Sequence, residues 1–262
     1  MKILASSVLM FAYKIQEILP LVKEWGYDGV EIWHFHLLQT HESPLEIRHL
    51  AQDLELDLSL HSLSWDLNYT SRLSEVREAS LVALEGGIRL AKTLGAHTVV
   101  VHPGRVTIPQ EDPELSWPDL IGGTRRMATL AEDLGIRLSV EIMEHIPKEF
   151  FINPWDADRL LKAIPNPALS ITVDSAHVPW NTDLVEYMKA TPKVEHLHIS
   201  DSTDSKLHLP LGKGERDHHE LLRYIKTFHP EIPIVIEGMA FNREPDLTYE
   251  NLMQLRTWLG QL

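Results

Sequence analysis

Eight short β-branched or aliphatic runs recur along this chain, and seven of them end on a His, Asp or Glu. They are Lys2–Ala5, Gly29–Glu31, Leu56–His61, Thr98–His102, Arg137–Glu141, Leu169–Asp174, Val194–His198 and Pro233–Glu237. Helical patterns separate them, so strand and helix alternate throughout. Such alternation is the signature of a parallel sheet with crossover helices. In a closed parallel barrel the C-terminal ends of all strands share one rim, and active sites are built there. The expected fold is therefore α/β: a single (β/α)8 TIM barrel forming one domain over residues 1–262. The length agrees, since about 250 residues is typical of such barrels. A doubly wound open sheet is the alternative, but no Gly-rich fingerprint follows the first run.

The intervening segments carry helix stripes and stops. Ile15, Ile18, Leu19 and Val22 form one apolar stripe in a helix expected from about Tyr13 to Trp25, closed by Gly26. Pro44 falls where a first helical turn would begin, ahead of Leu45, Ile47 and Leu50. A long periodic stretch runs from Val76 to Leu94 and stops at Gly95, and Met127, Leu130 and Leu134 precede Gly135 in the same manner. Asn153-Pro154 opens a helix through Leu160 and Ile164. Others are expected near Leu184–Ala190, Asp217–Phe228 and Tyr249–Leu259. The longest irregular stretches, Pro103–Leu115 and Ser200–Glu215, follow the fourth and seventh strands, on the rim where long loops carry binding function.

Composition narrows the class. With 44% hydrophobic and 24% charged residues the chain is that of an ordinary globular protein. A net charge of −14 argues against a general attraction to nucleic acid or anionic membrane. There is no cysteine, which removes disulfides and thiolate metal sites and fits a reducing, cytoplasmic setting. The apolar start, Met1–Ala12, has features of a signal peptide. A first barrel strand is the expectation, because removing it would leave seven. No apolar run approaches the roughly 20 residues needed to span a bilayer.

Glu141, Asp174, His198 and Glu237 end four consecutive strands, the fifth to the eighth. Three carboxylates and an imidazole aimed at one barrel mouth would repel one another without a cation. Mn²⁺, Mg²⁺, Co²⁺ or Zn²⁺ would resolve that conflict, since such a donor set suits divalent metals. Four separate salt bridges to rim Arg or Lys are the bland alternative. His61 and His102 end the third and fourth strands. Each alone is more often a structural histidine, but as a pair flanking Glu141 they are candidates for a second metal or for substrate hydroxyls. His177 lies three residues past Asp174 and can reach the same pocket, or it can serve the loop. Glu31 has three candidate roles: orienting a metal-bound His, contacting substrate, or pairing with a basic rim residue. Trp33 and Trp65 follow Glu31 and His61, and aromatic faces at a rim stack on sugar rings or pack a lid.

In order, these motifs resemble the xylose-isomerase-like TIM-barrel superfamily of sugar isomerases and epimerases, which also contains the endonuclease IV group. They are Gly29-Val30-Glu31-Ile32, Val101-His102-Pro103-Gly104, Val140-Glu141, Val173-Asp174-Ser175-Ala176-His177, His196-Leu197-His198-Ile199-Ser200-Asp201, Leu211-Gly212-Lys213-Gly214 and Ile236-Glu237-Gly238. The resemblance spans essentially the whole chain. It implies one divalent metal held by Glu141, Asp174, His198 and Glu237, with His177 against the substrate. His208 stands where ketose 3-epimerases carry a substrate-binding Arg. The implied activity is isomerisation or epimerisation of a small keto-sugar or polyol ketone through a metal-stabilised enediolate. Glu141 and Glu237 would be the catalytic acid–base pair, with His177 and His208 steadying hydroxyls and Trp33 and Trp65 closing the apolar side. The implied partner is a small sugar, with self-association into a homo-oligomer common in the family.

A zinc-dependent abasic-site endonuclease is the runner-up. That group's metal positions match His61, His102, Glu141, Asp174, His177, His198, His208 and Glu237. Lys206 replaces one of its carboxylates, and the chain is strongly acidic. A non-catalytic sugar-binding or metal-storage barrel is a third class.

Overall fold

The computed structural model describes residues 1–238 and 245–261. Its eight strands are β1 (Ile3–Ser6), β2 (Gly29–Trp33), β3 (Asp57–His61), β4 (Thr98–Val101), β5 (Arg137–Glu141), β6 (Leu169–Asp174), β7 (Val194–Ile199) and β8 (Ile234–Ile236). Each pairs in parallel with the next, and β8 pairs with β1, so the sheet closes in sequence order. The expected (β/α)8 barrel is the observed one.

Helices cover the outside: α1 (Ile15–Trp25), α2 (His34–Thr40), α3 (Pro44–Asp53), α4 (Ser74–Leu94), α5 (Trp117–Leu134), α6 (Pro154–Ala163), α7 (Leu184–Ala190), α8 (His219–Phe228) and α9 (Pro245–Gly260). α1 begins at Ile15 rather than Tyr13, because Lys14 is extended and the Glu17 carboxylate accepts its N–H at 2.8 Å. Gly26 ends the helix at φ +90°, a conformation that favours glycine. α8 starts two residues later than expected and α9 four earlier. The short α2, directly after β2, has no counterpart in the sequence expectation, since its seven residues span barely two turns.

Alternation along the strands divides the molecule into two environments. Val30 and Ile32, Leu58 and Leu60, Val99 and Val101, Leu138 and Val140, Ile171 and Val173, Leu197 and Ile199, and Ile234 and Ile236 join the apolar cluster shared with the helices. The opposite parity is largely polar, with Leu4, Val100 and Val235 as apolar exceptions. Ser59 donates to Glu31 at 2.9 Å, and Thr172 donates to Ser139 at 2.6 Å. His196 lies 2.8 Å from Glu31, and all five of these residues are buried. Buried polar groups of this kind must be satisfied by one another. That requirement fixes the direction in which the rim residues project.

One glycine is demanded by the sheet itself. A Cβ at Gly29 would collide with the backbone carbonyl of Asp57 on the neighbouring strand. No helix among the described residues is long and apolar enough to cross a membrane.

Candidate metal centre at the barrel mouth

Register brings the rim residues together. Asp174 pairs with His198 and Glu141 with Thr172, while Ser6 of β1 pairs with Glu31 of β2. β4 and β8 end one residue before His102 and Glu237, so these two side chains leave the sheet from the first loop position.

At the centre is His198, fully buried. Its Nε2 lies 2.9 Å from Glu31 Oε1, and its Nδ1 lies 3.2 Å from Glu237 Oε2 and 3.3 Å from Glu141 Oε1. Burial opposes its positive charge, but Glu237, Glu31 and Glu141 outweigh that and raise its pKa well above the usual histidine range. In turn, burial would push the carboxyls of Glu31, Glu141 and Glu237 upward, yet His198 beside them holds all three below the carboxylate norm. These acids are therefore present as carboxylates.

Glu237 is positioned from the first two strands. Its Oε1 accepts from Ser6 Oγ at 3.1 Å and from the indole N–H of Trp33 at 3.3 Å, leaving Oε2 toward His198. Trp33 itself is 7% exposed and stacks on His61, with ring centroids 4.1 Å apart and planes 7° from parallel. It supports the centre from beneath. Trp65, 49% exposed, packs against Trp33, Phe11 and Phe35 and presents its free surface at the rim.

Three donor groups run side by side, linked by shared carboxylates. His61, His102 and Glu141 form one, Glu141, Asp174 and His198 the next, and Asp174, His177 and His208 the third. In each, one ligand atom per residue lies within 4.8 Å of the others. His61 donates from Nδ1 to the Ser62 carbonyl at 2.9 Å, which turns its Nε2 to Glu141 Oε2 at 3.6 Å. His102 Nε2 approaches the same oxygen at 3.3 Å and keeps 30% of its side chain exposed. His177 donates from Nδ1 to the Ile142 carbonyl at 2.9 Å, so its Nε2 meets His208 Nε2 at 3.2 Å and Glu144 Oε2 at 3.5 Å. Burial works against the His177 cation, but Asp174, Glu141 and Glu144 prevail and raise its pKa to about 9.

The donor set fits a divalent cation on an observation of its own. Glu141 Oε2, Asp174 Oδ2 and His198 Nδ1 are buried without any hydrogen-bond partner. Unmet buried groups of this kind are costly, and charged ones most of all. Carboxylate oxygens and imidazole nitrogens are the ligands that Mn²⁺, Mg²⁺, Co²⁺ and Zn²⁺ accept.

Every site residue expected from the sequence lies in or against this one constellation. Glu31 sits below it, touching His196 and His198. Ser6, His196, Glu144 and Glu149 belong to the surroundings and were not singled out. The signal for His196 was its parity with His198, and that for Glu144 its place three residues past Glu141.

The chain belongs to the xylose isomerase-like TIM barrel family, whose model matches residues 19–258. It is 27% identical over 207 residues to an uncharacterised protein of Methanocaldococcus jannaschii, covering 79% of this chain and 80% of the relative. Fructoselysine 3-epimerase of Shigella flexneri is 26% identical over 216 residues, 77% of each chain. The crystal structure of a D-tagatose 3-epimerase-like protein shares the fold with a TM-score of 0.86 at 22% identity, covering 99% of this chain and 97% of that one.

Proposed function

We propose that this chain is an enzyme: a divalent-metal-dependent epimerase or isomerase of a small keto-sugar or polyol ketone, acting by proton transfer at a carbon next to the carbonyl. The observation that carries this reading is the convergence of Glu141, Asp174 and His198 through buried, unpartnered atoms, with Glu237 beside them. A relative named as a sugar 3-epimerase, within a family named for xylose isomerase, supports the reaction class.

Glu141, Asp174, His198 and Glu237 would hold the metal, which supplies a Lewis acid for the substrate carbonyl and for charge developing on its oxygen. Glu141 and Glu237 enter from β5 and from the end of β8, on different sides of the mouth. One carboxylate takes the proton from carbon and the other returns it, the role general acid–base groups fill for about 10²–10⁴-fold. Return to the opposite face of the same carbon gives an epimer, and return to the neighbouring carbon gives the aldose. His177 and His208, 3.2 Å apart, steady substrate hydroxyls at one edge, and Trp65 offers a face at the other.

The test is incubation of the Mn²⁺- or Co²⁺-loaded protein with ketopentoses, ketohexoses and inosose-type polyol ketones in D₂O. Deuterium entering at a carbon next to the carbonyl supports the proposal. Stable protons on every ketone tried would remove it.

A second reading, a zinc-dependent abasic-site endonuclease, is favoured by the chain of three donor groups sharing Glu141 and Asp174. Against it stand the net charge of −14 and Lys206 in place of a carboxylate near the third group. Two or three zinc ions per chain together with incision of abasic DNA would reverse the order.

A further inference from the structure

Glu141 and Glu237, the two carboxylates proposed to move the proton, are held in unlike ways. Glu141 Oε2 is buried without a hydrogen bond and faces the imidazoles of His61 and His102. Glu237 Oε1 takes two donors at once, Ser6 Oγ at 3.1 Å and the Trp33 indole N–H at 3.3 Å. The same N–H also reaches Ser6 Oγ at 3.0 Å, so the three side chains close a triangle, and all three residues are buried. Trp33 is itself clamped. Its backbone N–H donates to Ser7 Oγ at 2.9 Å, and its face lies on His61. The rings of Trp65 and Phe11 pack against it, with centroids 5.3 and 6.3 Å away. His61 in turn presents Nε2 to Glu141 Oε2. One indole thus stands between the two carboxylates, hydrogen-bonded to Glu237 at its edge and joined to Glu141 through the ring of His61.

We propose that Trp33 and Ser6 are positioning residues for Glu237. The indole N–H and the hydroxyl tie back Oε1, so that Oε2 is the oxygen presented to the centre, and the stack on His61 keeps Glu141 in register with it. The hold on Glu237 stands on the hydrogen bonds alone, and its consequence for catalysis rests on the proposed epimerase or isomerase activity. With 7% of its surface exposed, Trp33 has little free face for a sugar, unlike Trp65. A glutamate left without such partners would sample several rotamers, and ordering it at each turnover costs entropy. Holding the group in place beforehand removes that cost, and a misplacement of about 1 Å at a reacting group costs up to about 10²-fold in rate. A tryptophan that served packing alone would need its ring but not its N–H. The N–H is therefore the part of the side chain on which the two roles differ.

The experiment removes each donor while keeping the packing. Ser6→Ala deletes the hydroxyl, and benzothienylalanine in place of Trp33 deletes the N–H but keeps the bicyclic ring on His61. At saturating Mn²⁺ each change should lower kcat for solvent exchange into an accepted ketose by about 10–100-fold and leave KM nearly unchanged. An unaltered kcat in both proteins would overturn the assignment. A raised KM at constant kcat would overturn it too, since that pattern marks a contact with substrate. A second readout needs no turnover. In the Mg²⁺-loaded protein with isotope-labelled tryptophan, the Trp33 indole N–H resonance is identified by its absence in Trp33→Phe. It should shift in Glu237→Gln and in Ser6→Ala, and Ser6→Ala should weaken Mn²⁺ binding by about 10–100-fold. A resonance unmoved by both substitutions would show that the triangle does not form in solution and would overturn the proposal whatever the kinetics. If the unaltered protein exchanges no ketone, the proposed activity falls. The hold on Glu237 is then kept by a shifted resonance with weakened Mn²⁺ binding, and lost if either is missing.

Discussion

Glu31 Oε1 lies 2.9 Å from His198 Nε2, reaching across the barrel interior from β2 to β7. One ring nitrogen thus faces Glu31, and the other, Nδ1, faces Glu141 and Glu237. Ser59 and His196 hold the second Glu31 oxygen at 2.9 and 2.8 Å. A carboxylate behind a metal-binding histidine fixes the ring and raises its basicity. We propose that Glu31 acts as a positioning residue for His198.

Replacing Glu31 by Gln should weaken Mn²⁺ binding by about 10–100-fold, the usual loss when such a support is removed. Titration followed by the electron paramagnetic resonance of free Mn²⁺ reads this directly. Unchanged affinity in a folded Glu31→Gln protein would mean that His198 needs no support.

Glu141→Gln and Glu237→Gln should each lower solvent exchange into an accepted ketose by at least about 10²-fold, as expected when an acid–base group is removed. Assays at saturating Mn²⁺ separate this loss from weaker metal binding. Exchange retained in both variants would take these carboxylates out of the proton transfer.

The Glu149 carboxyl, about 7 in the folded protein, lies above its ordinary value of 4.5. The folded chain therefore binds a proton more tightly than the unfolded chain. The resulting stability is fully present below about pH 4.5 and disappears as the pH rises through 7. At pH 8 the native state carries a desolvated, repelled charge. Glu149→Gln should accordingly stabilise the protein at pH 8 by up to about 3 kcal/mol, and by little at pH 5. Urea denaturation of the metal-free protein at the two pH values checks this. Equal shifts at both would show that the carboxyl does not titrate in that window.

Gly29→Ala places a methyl group against the Asp57 carbonyl, which belongs to the neighbouring strand and cannot rotate away. A loss of about 1–3 kcal/mol is expected, as for other overpacked positions. Thermal unfolding of the variant gives the value, and a neutral effect would mean that β2 and β3 can separate without penalty.

The barrel was legible because each strand announces itself by an apolar run, and the rim because most runs stop on an ionisable residue. Glu141 and Asp174 end their strands where expected, and His198 stands one residue before the end of its strand. His102 and Glu237 stand one residue beyond theirs, as close as boundaries read from residue types come. What the pattern could not carry was pairing over long separations. Nothing near Glu31 says that it meets His198, 167 positions away. Trp33 has the composition of a rim aromatic, yet its N–H is drawn down to Ser6 and Glu237, and its ring lies flat on His61. The polar interior of Ser59, Ser139, Thr172 and His196 was written in alternate positions that look unremarkable strand by strand.

The most direct test of the account is an anomalous-scattering map from crystals grown with Mn²⁺. The account predicts a strong peak at coordination distance, about 2.0–2.6 Å, from Glu141, Asp174, Glu237 and Nδ1 of His198. A map with no peak among these four side chains, or with their donor atoms turned to separate protein partners, would contradict it.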